Sequence, residues 1–226
     1  MNNQANSICK IINDINSKEN IKTLIFVGGY CSNEIIVKLI KKGLEKISTY
    51  LQPSNPSLSI MEGAVIFGIE PSTINVRKAK YTIGYEINAL WDDKIHSGKG
   101  KKYFDEKIKK WFCKDCFSKF IEINQNLKYE EEIFHLSSIV YNPLLEKKTH
   151  NFVKLNFYKT KKVNPIFIFE EGMIKIGQCM LDIGVGYENK KGRDIKTIMK
   201  FGGTFIDVTA IHLKSGKSVK TTLTFD

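Results

Sequence analysis

Hydrophobic and polar positions along the chain follow two different periods, and the change falls near Pro71. Before Pro71 the apolar residues recur every three or four positions, which is typical of amphipathic helices. This spacing predicts helices over 5–19, 34–51 and 57–69, together with an apolar strand at 23–27. The first region therefore combines helices with one short buried strand.

After Pro71 the pattern changes to short runs in which apolar and polar residues alternate. A period of two predicts antiparallel strands with one buried face and one solvated face. The last two runs flank Lys214-Ser215-Gly216-Lys217, which predicts a hairpin turn. The predicted strands cover 75–85, 152–158, 165–169, 174–183, 195–201, 204–213 and 218–225.

An aromatic-rich stretch at 103–123 interrupts these alternating runs. Its large apolar side chains, among them Phe104, Ile108 and Trp111, recur at helical spacing. This spacing predicts a helical insertion of one or two amphipathic helices, and 129–136 predicts one further helical turn. The expected fold class is therefore α+β, with an antiparallel β-rich second region that carries the helical insertion.

The composition fits a protein of a reducing compartment. A chain of 226 residues with 42% hydrophobic residues can form one large domain or two small ones. No apolar run approaches the roughly 18–20 residues of a membrane span. The N-terminus lacks the basic region followed by an apolar region that is typical of a signal peptide. The odd number of cysteines argues against a disulfide framework. A cytoplasmic location is expected, with the nucleus as the alternative.

The net charge of +11 raises nucleic-acid binding as a hypothesis. Only Arg77 and Arg193 are arginines, so 33 of the 35 basic residues are lysines. Arginine is the residue that usually binds phosphate and guanine through two hydrogen bonds. The lysine pairs are also scattered along the chain. This composition argues against nucleic acid as the partner, although a basic nucleic-acid binder stays one alternative.

The strand at 23–27 leads directly into Gly28 and Gly29, which precede a predicted helix. A strand, a turn without side chains and a helix N-terminus together can hold a phosphate group. Either Ser32 or Asn33 can cap the helix. The same pattern also occurs where a tight strand-to-helix turn simply requires glycine, so the residues alone leave both interpretations open.

Cys113 and Cys116 have the C-x-x-C spacing found in zinc and redox sites. Zinc requires two further ligands, and no second cysteine or histidine pair lies at a suitable spacing. We therefore expect two buried structural cysteines within the helical insertion. No metal ligands and no catalytic residues are predicted. The histidines expected to be isolated surface or core residues are His96, His135, His150 and His212.

Several segments, taken in chain order, resemble one known protein family. They are Phe26-Val27-Gly28-Gly29, the small-residue helix at 57–65, the segment 76–84, and 205–211 followed by Ser215-Gly216-Lys217. Together they resemble the C-terminal part of a heat-shock-protein-70 relative, nearest to the divergent member-twelve branch. The likeness covers most of residues 20–226.

The resemblance implies two domains and ATP-linked binding of proteins or extended peptides. Residues 1–74 would be a C-terminal fragment of an actin-like ATPase lobe, and residues 75–226 would be a β-rich domain similar to the substrate-binding domain. The implied cofactor is ATP or ADP, with Mg²⁺ beside the nucleotide in a complete site. Implied partners are unfolded or extended protein segments, and the missing ATPase lobe or another chain. The residues placed on the nucleotide side are Gly28, Gly29, Tyr30 and Ser32.

The chain also departs from the family's pattern. It lacks the two phosphate-clamping Asp-Gly hairpins and the metal-orienting acids, so we expect a fragment that is inactive as an ATPase alone. Tyr30 and Ser32 stand where the family has a small hydroxyl residue and an adenine-stacking arginine. We also expect the β domain to lack the family's helical lid. The likeness places an aromatic pocket residue roughly at Tyr141. The alternative from another class is a non-catalytic protein-interaction module that binds no nucleotide.

Overall fold

A computed structural model of the chain describes residues 2–44, 46–106, 109–138, 151–184, 193–201 and 205–224. The chain forms two compact units, Met1–Thr73 and Ile74–Asp226. The first contains helices and two short parallel strands, and the second contains antiparallel sheets. The predicted α+β class is confirmed. Tyr141 and His150 lie outside the described residues.

The first unit packs helices against a small parallel sheet. Strand β1 (Thr23–Ile25) pairs in parallel with β2 (Thr49–Leu51). Two 3₁₀ turns lie at Gly29–Ser32 and Pro71–Thr73. The helices are α1 (Asn2–Glu19), α2 (Glu34–Lys42) and α3 (Ser59–Ile69). The buried core of this unit consists of Ala5, Cys9, Phe26, Ile36, Val37, Ile40, Leu44 and Ile47.

Helix α2 is shorter than its apolar spacing predicts, because it ends at Lys42 and a second strand follows. The Asn33 side chain caps its start by accepting hydrogen bonds from the amides of Ile35 and Ile36, at 3.0 and 3.3 Å. Gly43 lies at its end. The prediction of one long helix is wrong because β2 satisfies its backbone groups by pairing with β1, and this tertiary pairing outweighs local helical spacing.

Helix α3 exposes apolar side chains instead of burying them. A Cβ added at Gly63 or Gly68 would meet no atom within 4 Å in the described part of the chain. The small-residue face therefore has no close neighbour among those residues. No helix of the described ranges, α3 included, is long and apolar enough to cross a membrane. The exposed apolar residues of α3 are Ile60, Met61, Val65, Ile66 and Ile69.

The second unit is made of antiparallel strands. A short helix, α4 (Asp93–His96), lies among them. The strands are β3 (Val76–Lys78), β4 (Thr82–Leu90), β5 (Lys101–Asp105), β6 (Lys110–Ile121), β7 (Asn126–Lys128), β8 (Glu132–Ser138), β9 (Phe152–Thr160), β10 (Ile174–Asp182), β11 (Asp194–Lys200), β12 (Ile206–His212) and β13 (Ser218–Leu223). One sheet has the order β10-β9-β4-β6-β5, a second has the order β13-β12-β11-β8, and β3 pairs with β7.

The core of this unit takes side chains from both larger sheets. The hairpin between β12 and β13 turns at the predicted segment, where the amide of Gly216 donates to the His212 carbonyl oxygen at 2.9 Å. Gly216 has a φ of 72°, which glycine adopts without strain. The core residues that are at most 1% exposed include Ile83, Phe157, Ile195, Met199 and Ile206.

The predicted helical insertion at 103–123 is wrong, because this stretch forms β5 and β6. Strand β6 pairs with β4 on one edge and with β5 on the other. The pairing of β4 with β6 shifts register near Ile83 and near Ile87. These shifts break the alternation of apolar and polar residues along β6, so its apolar spacing resembles that of a helix. The predicted helical turn at 129–136 is also wrong, because β8 pairs with β11. The predicted strand at 165–169 forms only an isolated bridge.

Candidate functional site

The predicted nucleotide-side residues lie on the turn after β1. Gly28 has φ 87° and ψ 166°, a conformation essentially restricted to glycine. Its amide donates a hydrogen bond to the Pro56 carbonyl oxygen at 2.6 Å. A Cβ at Gly28 or Gly29 would meet no atom within 4 Å in the described ranges, so a ligand can approach this backbone closely.

Tyr30 and Ser32 contact different neighbours of this turn. The Tyr30 hydroxyl donates to Oε1 of Gln4 at 2.9 Å and connects the turn to α1. The Ser32 Oγ lies 2.8 Å from the Ser57 Oγ, just before α3. The structure thus brings Ser32 and the glycine turn to one segment before α3, whereas Tyr30 contacts α1. Their role in nucleotide binding stays a prediction.

A cleft with a volume of about 760 Å³ opens in the second unit where β4 and β9 separate. The two strands pair only between residues 82–85 and 157–160, although both continue beyond that point. Strand β8 also lines the cleft, and among the described residues it is an end strand of its sheet. Beyond their last backbone pair, β4 and β9 therefore face the same cavity without pairing with each other. An extended peptide segment can hydrogen-bond to strand edges of this kind.

Asn156 stands where the two strands separate. Its Nδ2 donates a hydrogen bond to Oε2 of Glu86 at 2.8 Å, just beyond the last backbone pair. Its Oδ1 is buried and has no hydrogen-bond partner in the described part of the chain. A buried acceptor without a donor costs free energy, so Asn156 has an unused hydrogen-bond acceptor among the residues that line the cleft.

Tyr85 and His135 give the cleft an uncharged inner wall. His135 stacks on Phe120 with 4.1 Å between ring centroids, and its Nδ1 lies 3.3 Å from the Ser118 Oγ. Burial lowers the pKa of His135 and raises the pKa of Tyr85, because their charged forms are disfavoured away from water. Both side chains are therefore neutral at neutral pH.

The outer side of the cleft carries exposed apolar residues. On β8 the usual alternation is reversed: Phe134 and Leu136 are 55% and 64% exposed, while His135 and Ser137 are half-buried. Phe152 at the start of β9 is also exposed and lines the cleft. Apolar side chains exposed beside a cleft are typical of binding surfaces. Sequence reasoning missed this site, because its local signal was read as a helical turn.

Cys113 and Cys116 are buried, as predicted, but they lie on strand β6 and beside His96. The Sγ atoms and a ring nitrogen of His96 all lie within 4.8 Å of one another. Burial raises the pKa of Cys116 to about 12, so this thiol is uncharged at neutral pH and is a poor nucleophile. His96 is a buried core histidine, one of the two alternatives predicted for it. No spacing motif links it to the cysteines, and α4 brings it beside them.

Comparisons with known proteins give distant relatives over nearly the whole chain. Heat shock 70 kDa protein 12A of Mus musculus is 29% identical over 224 residues, which cover 97% of this chain and 32% of that protein. The Homo sapiens 12A protein gives the same values. Heat shock 70 kDa protein 12B of Homo sapiens is 25% identical over 215 residues, covering 92% of this chain and 30% of that protein.

No protein-family model matches the chain. The similarity to proteins 12A and 12B nevertheless confirms the predicted resemblance, as a distant homology. The chain spans about a third of the length of the curated relatives it matches.

Proposed function

We propose that this distant homologue of heat shock 70 kDa proteins 12A and 12B binds extended, apolar segments of other proteins in the cleft between β4, β9 and β8. The observation that carries the proposal is the interrupted pairing of β4 with β9, which stops at Tyr85 and Phe157 and leaves a cavity between the described strands. An extended segment in this cavity would add main-chain hydrogen bonds in the manner of β-augmentation.

The cleft offers such a segment both polar and apolar contacts. The Oδ1 of Asn156 would accept a main-chain N–H once a rotation of the side chain exposes it. Phe134, Leu136 and Phe152 can cover apolar side chains of the segment. Because successive side chains of an extended segment point to opposite faces, alternate residues would contact this apolar surface.

Fluorescence anisotropy with a labelled Leu-rich heptapeptide tests the proposal on the full chain. We expect saturable binding at low and at high salt, because salt screens charge contacts but not the burial of apolar side chains. Binding only at low salt would contradict the proposal and indicate the lysine-rich surface. No binding at either salt would also contradict it and favour an interaction module that uses another surface.

Nucleotide binding by the Gly28–Gly29 turn is a second proposal, supported by the open backbone there. The resemblance implies ATP or ADP, with Mg²⁺ in a complete site. The remaining phosphate-holding groups would come from the rest of an ATPase lobe, and the exposed apolar residues of α3 offer a surface for it. Phosphoryl transfer needs several such groups at once, so we propose that the chain alone does not hydrolyse ATP above background.

Gly29→Asp is expected to abolish ATP-analogue binding without changing the unfolding midpoint. The open space at Gly29 accommodates the side chain, whereas the added carboxylate repels phosphate. Titration with a fluorescent ATP analogue measures the binding, and Gly29→Ala is the uncharged control. Equal binding by both variants and the original chain would exclude this turn as the phosphate contact.

A further inference from the structure

The buried cluster of His96, Cys113 and Cys116 is separate from the residues that line the peptide cleft. In a regular strand, residues three positions apart point to opposite faces. Here Ile87 pairs with Cys116 and Ala89 pairs with Cys113, so one residue of β4 opposes two residues of β6. This bulge turns both thiols toward the same side, where the imidazole of His96 also lies.

Contacts around Asp115 hold this bulge in place. Asp115 has a φ of 60°, a left-handed conformation that residues other than glycine rarely adopt. Its carboxylate binds the Lys101 Nζ at 2.6 Å, and its carbonyl oxygen accepts a hydrogen bond from the Ile168 amide at 3.0 Å. The close approach of the two thiols is therefore imposed by surrounding structure, which is how a ligand site is preorganised.

His96 is oriented by the start of α4. Its Nδ1 accepts a hydrogen bond from the Asp92 amide at 2.9 Å, so the proton of the neutral ring lies on Nε2. Nε2 is 3.8 Å from the Cys116 Sγ. This geometry places an N–H donor against the sulfur, so Nε2 is not free to coordinate a metal. Its hydrogen bond would act on the Cys116 sulfur once an ion has displaced the thiol proton.

We propose that Cys113 and Cys116 bind one Cu⁺ ion through two thiolates, with Nε2–H of His96 donating a hydrogen bond to the Cys116 sulfur. Cu⁺ is a soft ion that binds preferentially to thiolates, and two sulfur ligands are sufficient to coordinate it. Structural Zn²⁺ needs four ligands, whereas the cluster in the described part of the chain has three members and one of them is protonated. Binding releases two thiol protons to solvent and leaves a centre with a net charge of −1.

One positively charged residue, Lys102, lies opposite Cys113 in the pairing of β5 with β6. The Lys102 Nζ lies 4.6 Å from the ring centroid of Trp91. The Trp91 ring in turn lies 5.5 Å from the His96 ring, between centroids. Lys102 does not compete with the thiols for a soft ion, because its ammonium group has no lone pair.

The segment 166–168 packs over the thiols. Phe167 packs against both cysteines. Backbone hydrogen bonds from Phe117 N to Ile166 O at 2.8 Å and from Ile168 N to Asp115 O at 3.0 Å connect the segment to β6. Because the segment belongs to no strand, breaking these bonds can expose the thiols without separating a sheet.

The test uses the full chain, reduced under anaerobic conditions and titrated with Cu⁺ against the chelator bathocuproine disulfonate. We expect one Cu⁺ per chain, and X-ray absorption of the wild-type complex should show two sulfur ligands. Cys113→Ser and Cys116→Ser should each lose Cu⁺ to the chelator. Cys31→Ser, which changes a cysteine of the first unit, should keep the ion. His96→Ala should weaken binding about 10- to 100-fold, as loss of a partner of a metal ligand usually does.

Failure of the wild-type chain to take Cu⁺ from the chelator would overturn the proposal. So would retention by both cysteine variants, or preferential retention of Zn²⁺ in a parallel competition. X-ray absorption needs no substitution, so it decides the ligand set even if a cysteine variant does not fold. A set without two sulfurs would overturn the proposal as well.

Discussion

Leu136→Lys is expected to weaken binding of the labelled heptapeptide by about 10- to 100-fold. Full burial of a side chain of this size contributes about 1.5–3 kcal/mol, which corresponds to that change. Leu136 is 64% exposed on β8, so the lysine has access to water and the fold should be preserved. Anisotropy titration at high salt measures the effect without a contribution from surface charge.

Met180→Lys is the matched control for this measurement. Met180 is 56% exposed on β10, and it does not line the cleft. This variant adds the same charge and removes a similar apolar side chain, so its affinity should stay close to that of the original chain. Equal weakening by both variants would contradict the assignment of peptide binding to the cleft.

Gly84→Ala is expected to destabilise the second unit by about 3 kcal/mol, the upper end of the usual range for overpacking. A Cβ there would lie 2.1 Å from the Ser118 carbonyl oxygen and 2.6 Å from Cζ of Phe117. To relieve these short contacts, the backbone of β6 would have to move away from β4, with which it pairs at this point. Urea denaturation followed by circular dichroism measures the loss.

Gly63→Ala provides the opposite expectation. Gly63 lies on α3, and its Cβ would meet no atom within 4 Å in the described ranges. Alanine should therefore stabilise the helix slightly, since glycine in a helix interior costs about 1 kcal/mol relative to alanine. An unchanged denaturation midpoint for Gly84→Ala would contradict the close approach of β4 to β6 at Gly84.

Features that depend on neighbouring residues could be predicted from the sequence. The alternating runs on either side of Gly216 predicted the β12–β13 hairpin. Ser32 or Asn33 before Glu34 predicted a helix cap, and Asn33 provides it. The motif Phe26-Val27-Gly28-Gly29 and the segments after it indicated the relationship that the comparisons confirm. Such features follow from backbone preferences and short-range spacing, which a single sequence contains.

Features that depend on distant pairing were decided by the tertiary structure. Aromatic spacing predicted helices for β5 and β6, but backbone hydrogen bonding of β6 to β4 and of β5 to β6 made them strands. The cleft exists because β9 leaves β4 beyond Tyr85 and Phe157, which are far apart in the chain.

His96 likewise reaches Cys113 and Cys116 only through the packing of α4 beside a bulge in β6. The sequence by itself determined the α+β class, the hairpin and the helix cap, because those depend on local preferences. The tertiary structure alone decided the strand register, the cleft and the cysteine cluster, because strand register is set by partners remote in sequence and one bulge reverses the direction of a side chain.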